Sequence, residues 1–546
     1  MSSRYPPDLL LRLHGQILAL RESALALAEE QAGRLAAIPP DYAASARNLL
    51  YYLAVRRHDI RALQIQLGEL GLSSLGRMEA HVLAALESVL AALESLGAAP
   101  ATLIATGVQP SRFREGDERL ARHAADLFGP EAPNRIVRIM VTLPSEAAQD
   151  YGLVRDLVAS GMNIARINSA HDEPAAWQAM IERVRRAEAE TGRPCRVLLD
   201  LAGPKLRTGP LAPGPEVLRL RPERDELGRI GQPARLRLVA EGAESVPAGE
   251  RALPIDAELH ALLRPGDELR LRDLPGRARR LRVVSGPGGS LWLETRRGLY
   301  FASGLPAKLY RKGAELAEGS IGKLPPREQR LILLPGETLL VTAGEEPGQL
   351  ARRDREGAVL EPARIPCTLP AVFADTRPGD RILFDDGRLE GVIRETTPSF
   401  LRVEIRRAAA TGTRLQADRG INLPDTDLSL SPLTEADLAQ LDFAVRHADL
   451  VGMSFVRRPE DVAALHAELA RRGGEALGVV LKIETRAAFE NLPSLLLAAL
   501  GRPPAGVMVA RGDLGVELGF ERMAEVQEEI LWLAEAAHLP VIWATG

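Results

Sequence analysis

The pattern of apolar and polar positions changes texture three times along the 546-residue chain. Over residues 1–100 apolar side chains recur at helical spacing. Pro6, Pro7 and Asp8 form a helix start, and the pattern runs on to Ala37, ahead of Pro39 and Pro40. Asp59 is placed to cap a second piece carrying Leu63, Leu67 and Leu70, and a third carries Leu83, Leu86, Leu90 and Leu93. This leucine stripe reads as the internal packing of a small helical bundle, with a coiled-coil or partner face as the less favoured alternative. Residues 101–134 read as a connector with some helix and no assigned task.

From Arg135 short β-rich runs alternate with helical ones. Strands are predicted over 136–143, 162–167 and 196–201, with helices over 148–160 and 173–191. This βαβαβ rhythm argues for a parallel sheet or barrel. It stops at Gly209-Pro210, and residues 210–419, rich in Pro, Gly, Arg and short alternating runs, read as an all-β insertion. Within it Arg264-Pro265-Gly266-Asp267 and Arg377-Pro378-Gly379-Asp380 each precede a strand pattern, so two related β modules are expected. Chance likeness of two Pro-Gly-Asp turns is the competing reading.

The alternation returns over 420–546, where Thr434 is placed to cap a helix. Together the two parts supply seven strands, whereas a closed barrel of this kind needs eight. The expected fold is therefore α/β: a (β/α)8-type barrel over 135–209 and 420–546 lacking its last strand, an inserted all-β domain, and an N-terminal α-helical region. An open barrel exposes strand edges and core groups, so the chain reads as a fragment or a prematurely ended frame.

Composition narrows the function classes. The balance of 69 basic and 73 acidic residues leaves a formal charge of −4, and aromatics make up 4%. No basic block is interleaved with aromatics, so a nucleic-acid partner is not expected. No apolar run is long enough for a membrane span, and no signal peptide is recognisable. Only Cys195 and Cys367 occur, which points to a reducing, cytoplasmic setting without a disulfide framework.

Parallel barrels present reactive groups at the C-terminal ends of their strands. Here those ends carry Arg166 and Asn168, Asp200, Lys482 and Glu484, the run from Ala510 to Gly515, and Ala544-Thr545. Singly, each has a bland explanation as a helix cap or a surface pair. A purely structural account would scatter such groups over both ends. Glu484 and Asp513 form a hard-oxygen pair suited to Mg²⁺ (or Mn²⁺), while Arg166, Arg207 and Lys482 offer charge to a transferring phosphoryl group. The amides of Gly512 and Asp513, at a helix start, are placed to receive a substrate carboxylate.

The motifs Gly161–Asn168, Leu199–Gly209, Gly420–Pro424, Ser454–Arg457, Lys482–Glu484 and Ala510–Gly515 together resemble the pyruvate kinase family, in that family's order. The resemblance covers residues 135–209 and about 385–546, and it implies transfer of phosphate between phosphoenolpyruvate and ADP, giving pyruvate and ATP. By position it implies that Lys482 stabilises the transition state, and that Glu484 and Asp513 bind the divalent metal. Arg166 and Arg207 contact phosphates, Asn168 and His171 lie beside the nucleotide, and Thr545 helps protonate the enolate. The inserted β domain becomes a lid that excludes water.

Departures from the family pattern matter as well. Asn168 and Asp200 remain from a monovalent-cation site, but Ala170 and Leu201 replace its hydroxyl residues. Lys205 stands where potassium-dependent members carry Glu, so a fixed ammonium is expected to replace K⁺. The first strand exits without the usual glycine before Pro144, and the lid is about twice the family's size. Two rival readings are kept: another phosphoenolpyruvate- or pyruvate-handling barrel such as a lyase, and an inactive scaffold acting through its helices. A homo-oligomer is compatible with either.

Overall fold

A computed structural model describes residues 6–97, 111–132, 134–242 and 251–544. Its centre is a seven-stranded, wholly parallel sheet. The strands are β1 (Met140–Thr142), β2 (Ile164–Asn168), β3 (Arg196–Asp200), β4 (Leu450–Met453), β5 (Gly478–Ile483), β6 (Ala505–Val509) and β7 (Val541–Trp543), hydrogen-bonded in that order. Every residue of β4, β5 and β6 is buried, which is why these strands read as unbroken apolar runs rather than alternating ones. The predicted barrel architecture, with its β insertion after the third strand, is the architecture found. Strand β1 is shorter than the run over 136–143 predicts. The Arg138 guanidinium still donates to the Gly129 carbonyl at 3.3 Å, and Ile136 and Val137 stay exposed at 76% and 70%.

The connector contains an 18-residue amphipathic helix, Ser111–Phe128, which the sequence pattern left without a task. Its end enters the open base of the barrel. Leu127 and Phe128 cluster with Ile164, Leu198, Leu450, Val480 and Met508. A Cβ added to Gly478 or Gly506 would lie 2.6 Å from a methyl of Leu127, so the first residue of β5 and the second of β6 must lack side chains.

The N-terminal region is helical, with helices Pro7–Glu30, Pro40–Arg56, Arg61–Glu69 and Val82–Ser95. Leu86, Leu90 and Leu93 of the predicted stripe are buried inside it. The continuous helix expected up to Ala37 is broken at Gln31. The sequence reading also passed over Pro40–Arg56: Pro40, read as a stop, is its first residue, where a missing N–H costs nothing. Asn48 fastens this bundle to the barrel. Its amide donates to the carbonyls of Glu79 (2.7 Å) and Ala536 (2.9 Å), and its oxygen accepts from the Val82 N–H at 3.0 Å. His538 adds contacts to Ser45 Oγ (2.9 Å) and the Ala80 carbonyl (2.8 Å).

The insertion folds as two β modules with separate cores. Nearer the barrel, the strands run Ala363–Pro366, Thr338–Thr342, Phe400–Arg407, Leu389–Thr396, Arg381–Phe384. The outer module repeats this order as Ala252–Ile255, Ala234–Ala240, Leu291–Thr295, Ala278–Ser285, Glu268–Arg272. In each the first pair is parallel and the next three pairings are antiparallel. The two Pro-Gly-Asp turns also match bond for bond. Asp267 and Asp380 accept from the N–H of Arg264 (2.8 Å) and Arg377 (3.0 Å). Gly266 and Gly379, at φ 95° and 107°, donate to Val283 and Ile393, each at 2.8 Å. Positive φ is the reason for glycine there.

Two outcomes follow from the packing. Leu127→Ala should lower the chain's stability to chemical denaturation by about 2–5 kcal/mol through the cavity it leaves, whereas truncating exposed Leu11 should change little. Burial, above all, pulls the pKa of His538 down from 6.5 to about 4. Between those values the unfolded chain binds a proton that the folded one refuses, so stability is complete above 6.5 and falls as pH drops toward 4. Unfolding midpoints measured across that window should show this fall, and His538→Gln should flatten it.

Candidate active site

Because the sheet is parallel, the C-terminal ends of its strands share one rim. Register sets Thr142 beside Arg166 and Asn168 beside Asp200, with Asp200 in turn beside Gly452. Along this rim charges alternate. The Arg166 guanidinium donates to Asp200 Oδ2 through Nε at 2.8 Å and again through Nη2, while its Nη1 donates to Thr142 Oγ1 at 2.8 Å. The same Asp200 oxygen lies 3.2 Å from Lys482 Nζ, which is also 3.0 Å from Glu484 Oε1. The second Glu484 oxygen accepts from the Phe455 N–H at 2.8 Å.

Close packing against backbone fixes the centre of this chain. A Cβ on Gly452 would stand 2.6 Å from Asp200 Oδ1, and that buried oxygen has no hydrogen-bond partner. Lys482 Nζ donates to Ser454 Oγ at 2.7 Å, and Ser454 passes the bond on to the Leu201 carbonyl at 2.6 Å. Burial works against the Lys482 ammonium, yet Glu484 and then Asp200 more than offset it and hold its pKa above the ordinary value. Glu484 is pushed upward chiefly by burial; Lys482 opposes this, and Asp513 and Asp200 add to it. We take Lys482 as firmly charged because two carboxylates face it.

Residue Asp513 sits in the first turn of the helix Arg511–Leu518, a position where the helix dipole favours negative charge. Its Oδ1 accepts from Lys205 Nζ at 3.1 Å. The Lys205 charge therefore lies against Asp513, with the Phe455 ring centroid 5.6 Å away. Gly512 is exposed at the same helix start. The other candidates lie outside this charge chain. Arg207 is at the root of the insertion, donating to the Asp418 carbonyl at 3.2 Å. Asn168 turns its oxygen to the Ala170 N–H at 3.2 Å. His171 is exposed, and its carbonyl accepts from Trp177 Nε1 at 2.9 Å. Thr545 lies outside the described residues.

The donor set suits a hard divalent cation. Asp513 is close enough to add to the cost of ionising Glu484, which a cation between them would relieve. Among the described residues no group of three or more His, Cys, Asp or Glu could hold a metal. Two carboxylates completed by water and substrate oxygens is the arrangement Mg²⁺ accepts. An open cleft of ≈ 320 Å³ adjoins them, lined among others by Arg166, Lys482, Glu484, Gly512 and Asp513.

Sequence reasoning gave three polar residues here no role. Ser454 stands just past β4 and entered only as part of the motif Ser454–Arg457, with no role of its own. Asn422, quoted only within the motif Gly420–Pro424, and Glu517 drew no role because they act through each other: Asn422 Nδ2 donates to Glu517 Oε1 at 2.8 Å. No single-residue signal marks such a pair.

Comparison with known proteins bears on the family to which the chain belongs. The chain is 35% identical over 182 residues to a pyruvate kinase of Thermotoga maritima, covering 33% of this chain and 37% of that protein. It is 27% identical over 409 residues to a pyruvate kinase of Mycobacterium tuberculosis, covering 75% and 57% respectively. A human pyruvate kinase matches at 31% over 235 residues, covering 43% and 37%. The chain thus spans less than two thirds of the length of each of these relatives. A model of the pyruvate kinase barrel domain matches residues 134–227 and 348–546. That match takes in more than half of the residues and is interrupted over 228–347, most of the outer β module and the first strands of the inner one, and the chain belongs to the pyruvate kinase family.

Proposed function

We propose that the protein transfers a phosphoryl group between phosphoenolpyruvate and ADP. The observation that carries this reading is the alternating chain Arg166–Asp200–Lys482–Glu484 along one rim of the barrel. In the forward direction the bond from phosphorus to the enol oxygen breaks, a bond to the terminal ADP oxygen forms, and the enolate takes a proton at its methylene carbon. Little covalent work falls to the protein; positioning and charge do most of it.

In this reading Lys482 offers positive charge where the phosphoryl oxygens gather negative charge. Its bonds to Ser454 and Glu484 hold it there without reorganisation during transfer. Arg166, braced by Asp200, and Arg207, at the root of the insertion, contact phosphates. Asn168 and His171 lie toward the nucleotide, and the amides at Gly512 and Asp513 receive the substrate carboxylate. Glu484 and Asp513 hold Mg²⁺ or Mn²⁺, which when bound neutralises phosphate charge. The motif position of Thr545 assigns it to enolate protonation. The inserted modules act as the lid. Two buried free thiols, Cys195 and Cys367, and the lack of any described helix long and apolar enough to cross a membrane are compatible with a cytoplasmic enzyme.

The test is pyruvate formation from phosphoenolpyruvate with Mg²⁺. Turnover should depend on ADP, and Lys482→Met should lower it by roughly a thousandfold. Carbon-bond cleavage independent of ADP would favour a lyase instead.

We further propose that K⁺ is not required, because Lys205 brings a fixed ammonium to the site while Ala170 and Leu201 offer no side-chain oxygen. At saturating substrates, rates with and without K⁺ should agree within about twofold, less than about 0.5 kcal/mol in barrel-site energetics. A strong K⁺ requirement would overturn this assignment of Lys205.

A further inference from the structure

Glu517 lies outside the charge chain, yet three separate parts of the site meet at its carboxylate. It occupies the helix Arg511–Leu518, four residues after Asp513 and so on the same face. It is 7% exposed. Its Oε1 accepts from Asn422 Nδ2 at 2.8 Å, and it lines one small cavity with Asn422, Thr485 and Ala487. Arg486 is two residues beyond Glu484. Asn422 belongs to the short strand Ile421–Asn422, which pairs with Arg381–Phe384 of the inner β module and leads the chain back into the barrel.

A second link runs beside the first. Asp425 accepts from Arg381 of the module at 2.7 and 2.8 Å, and from Arg486 of the barrel at 3.3 Å. The module also rests on the helix itself, since a Cβ on Gly387 would lie 3.6 Å from Val516. An apolar side chain would fill the Glu517 site without the cost of burying a polar group. What the carboxylate adds is direction: it accepts from the insertion's return strand while facing the segment after β5.

We propose that Glu517 is a positioning residue that holds Asp513 in register with Glu484 and couples both to the base of the insertion. The proposal rests on the kinase reading only in taking these two carboxylates as the divalent-metal pair. Without Glu517 the helix bearing Asp513 is free to shift relative to β5, and the two carboxylates cease to share one ion. A glutamine keeps the accepting oxygen toward Asn422 and should preserve the register.

The test uses the full chain and Mn²⁺ as a directly observed probe, followed by electron paramagnetic resonance without substrate. Glu517→Ala should weaken Mn²⁺ binding by about tenfold or more, and Glu517→Gln should stay within about threefold of the unaltered protein. Hydrogen exchange over residues 420–424 should rise in the Ala variant and not in the Gln variant. Thermal unfolding checks that each variant is folded. If Glu517→Ala does not fold, Asn422→Ala removes the partner amide and should weaken Mn²⁺ binding in the same direction. A folded Ala variant that binds Mn²⁺ normally overturns the proposal, as does a Gln variant as impaired as Ala, or normal binding in Asn422→Ala. ADP-dependent turnover, measured in parallel, is read separately. Its absence alongside the expected Mn²⁺ changes removes the kinase reading and leaves the positioning role standing. An unaltered chain that fails to bind Mn²⁺ removes both.

Discussion

Taking an ammonium group out of water costs on the order of several kcal/mol unless opposite charge meets it. Lys482 is 7% exposed, and its surroundings are arranged to meet that cost. Asp200 and Glu484 come from β3 and from the end of β5, and Ser454 from the exit of β4. Each of these is placed by parallel pairing, so the register of three adjacent strands has to be right for one cation to stay charged. The same requirement explains Gly452, where a side chain would collide with Asp200. The barrel's regularity and the site's electrostatics are thus one constraint.

The parts legible in the sequence were those that repeat or that cluster along the chain. The βα alternation, the position of the insertion and the charged strand ends all follow from local pattern, and Thr434 does cap its helix, with Asp437 completing the reciprocal bond. What escaped depended on contacts between distant segments. Pro40 was read as a stop because a proline ends one helix and begins another with equal ease. The helix Ser111–Phe128 drew no role because its meaning lies in Gly478 and Gly506, hundreds of residues later. Lys205 was legible as an unusual charge, but its partner, Asp513, was not. Ser454 and the Glu517–Asn422 pair are polar groups whose importance comes from burial, which local composition does not report.

The additions to the barrel attach in different ways. The helical bundle is held by buried hydrogen bonds from its own Asn48 to the Ala536 carbonyl of the barrel and between the barrel's His538 and Ser45 of the bundle, groups that would be costly to leave buried and unpaired. The β modules are joined through the narrow crossing where Thr208 and Ile421 pair with Arg419 and Leu206, supported by the polar junction around Asp425. The outer module repeats the strand order of the inner one while keeping its own core, so it enlarges the insertion without adding to the barrel's packing. Most of this outer module, with the first strands of the inner one, is what the family model passes over.

The meeting of Leu127 with two glycines has a consequence for how such a sequence can change over generations. The methyls of one side chain occupy the space that Cβ atoms at positions 478 and 506 would need. A mutation to alanine at either strand start is therefore barred, and a smaller residue at 127 does not release it, because Leu450 stands 2.5 Å from the Cβ position at 478 and the Pro540 carbonyl 2.8 Å from that at 506. Each glycine is thus held from two sides, and a smaller residue at 127 leaves a void that neither strand start can fill. A helix that precedes the barrel in the chain, and touches none of the charged rim, thereby limits which residues the barrel can accept at its own foundations.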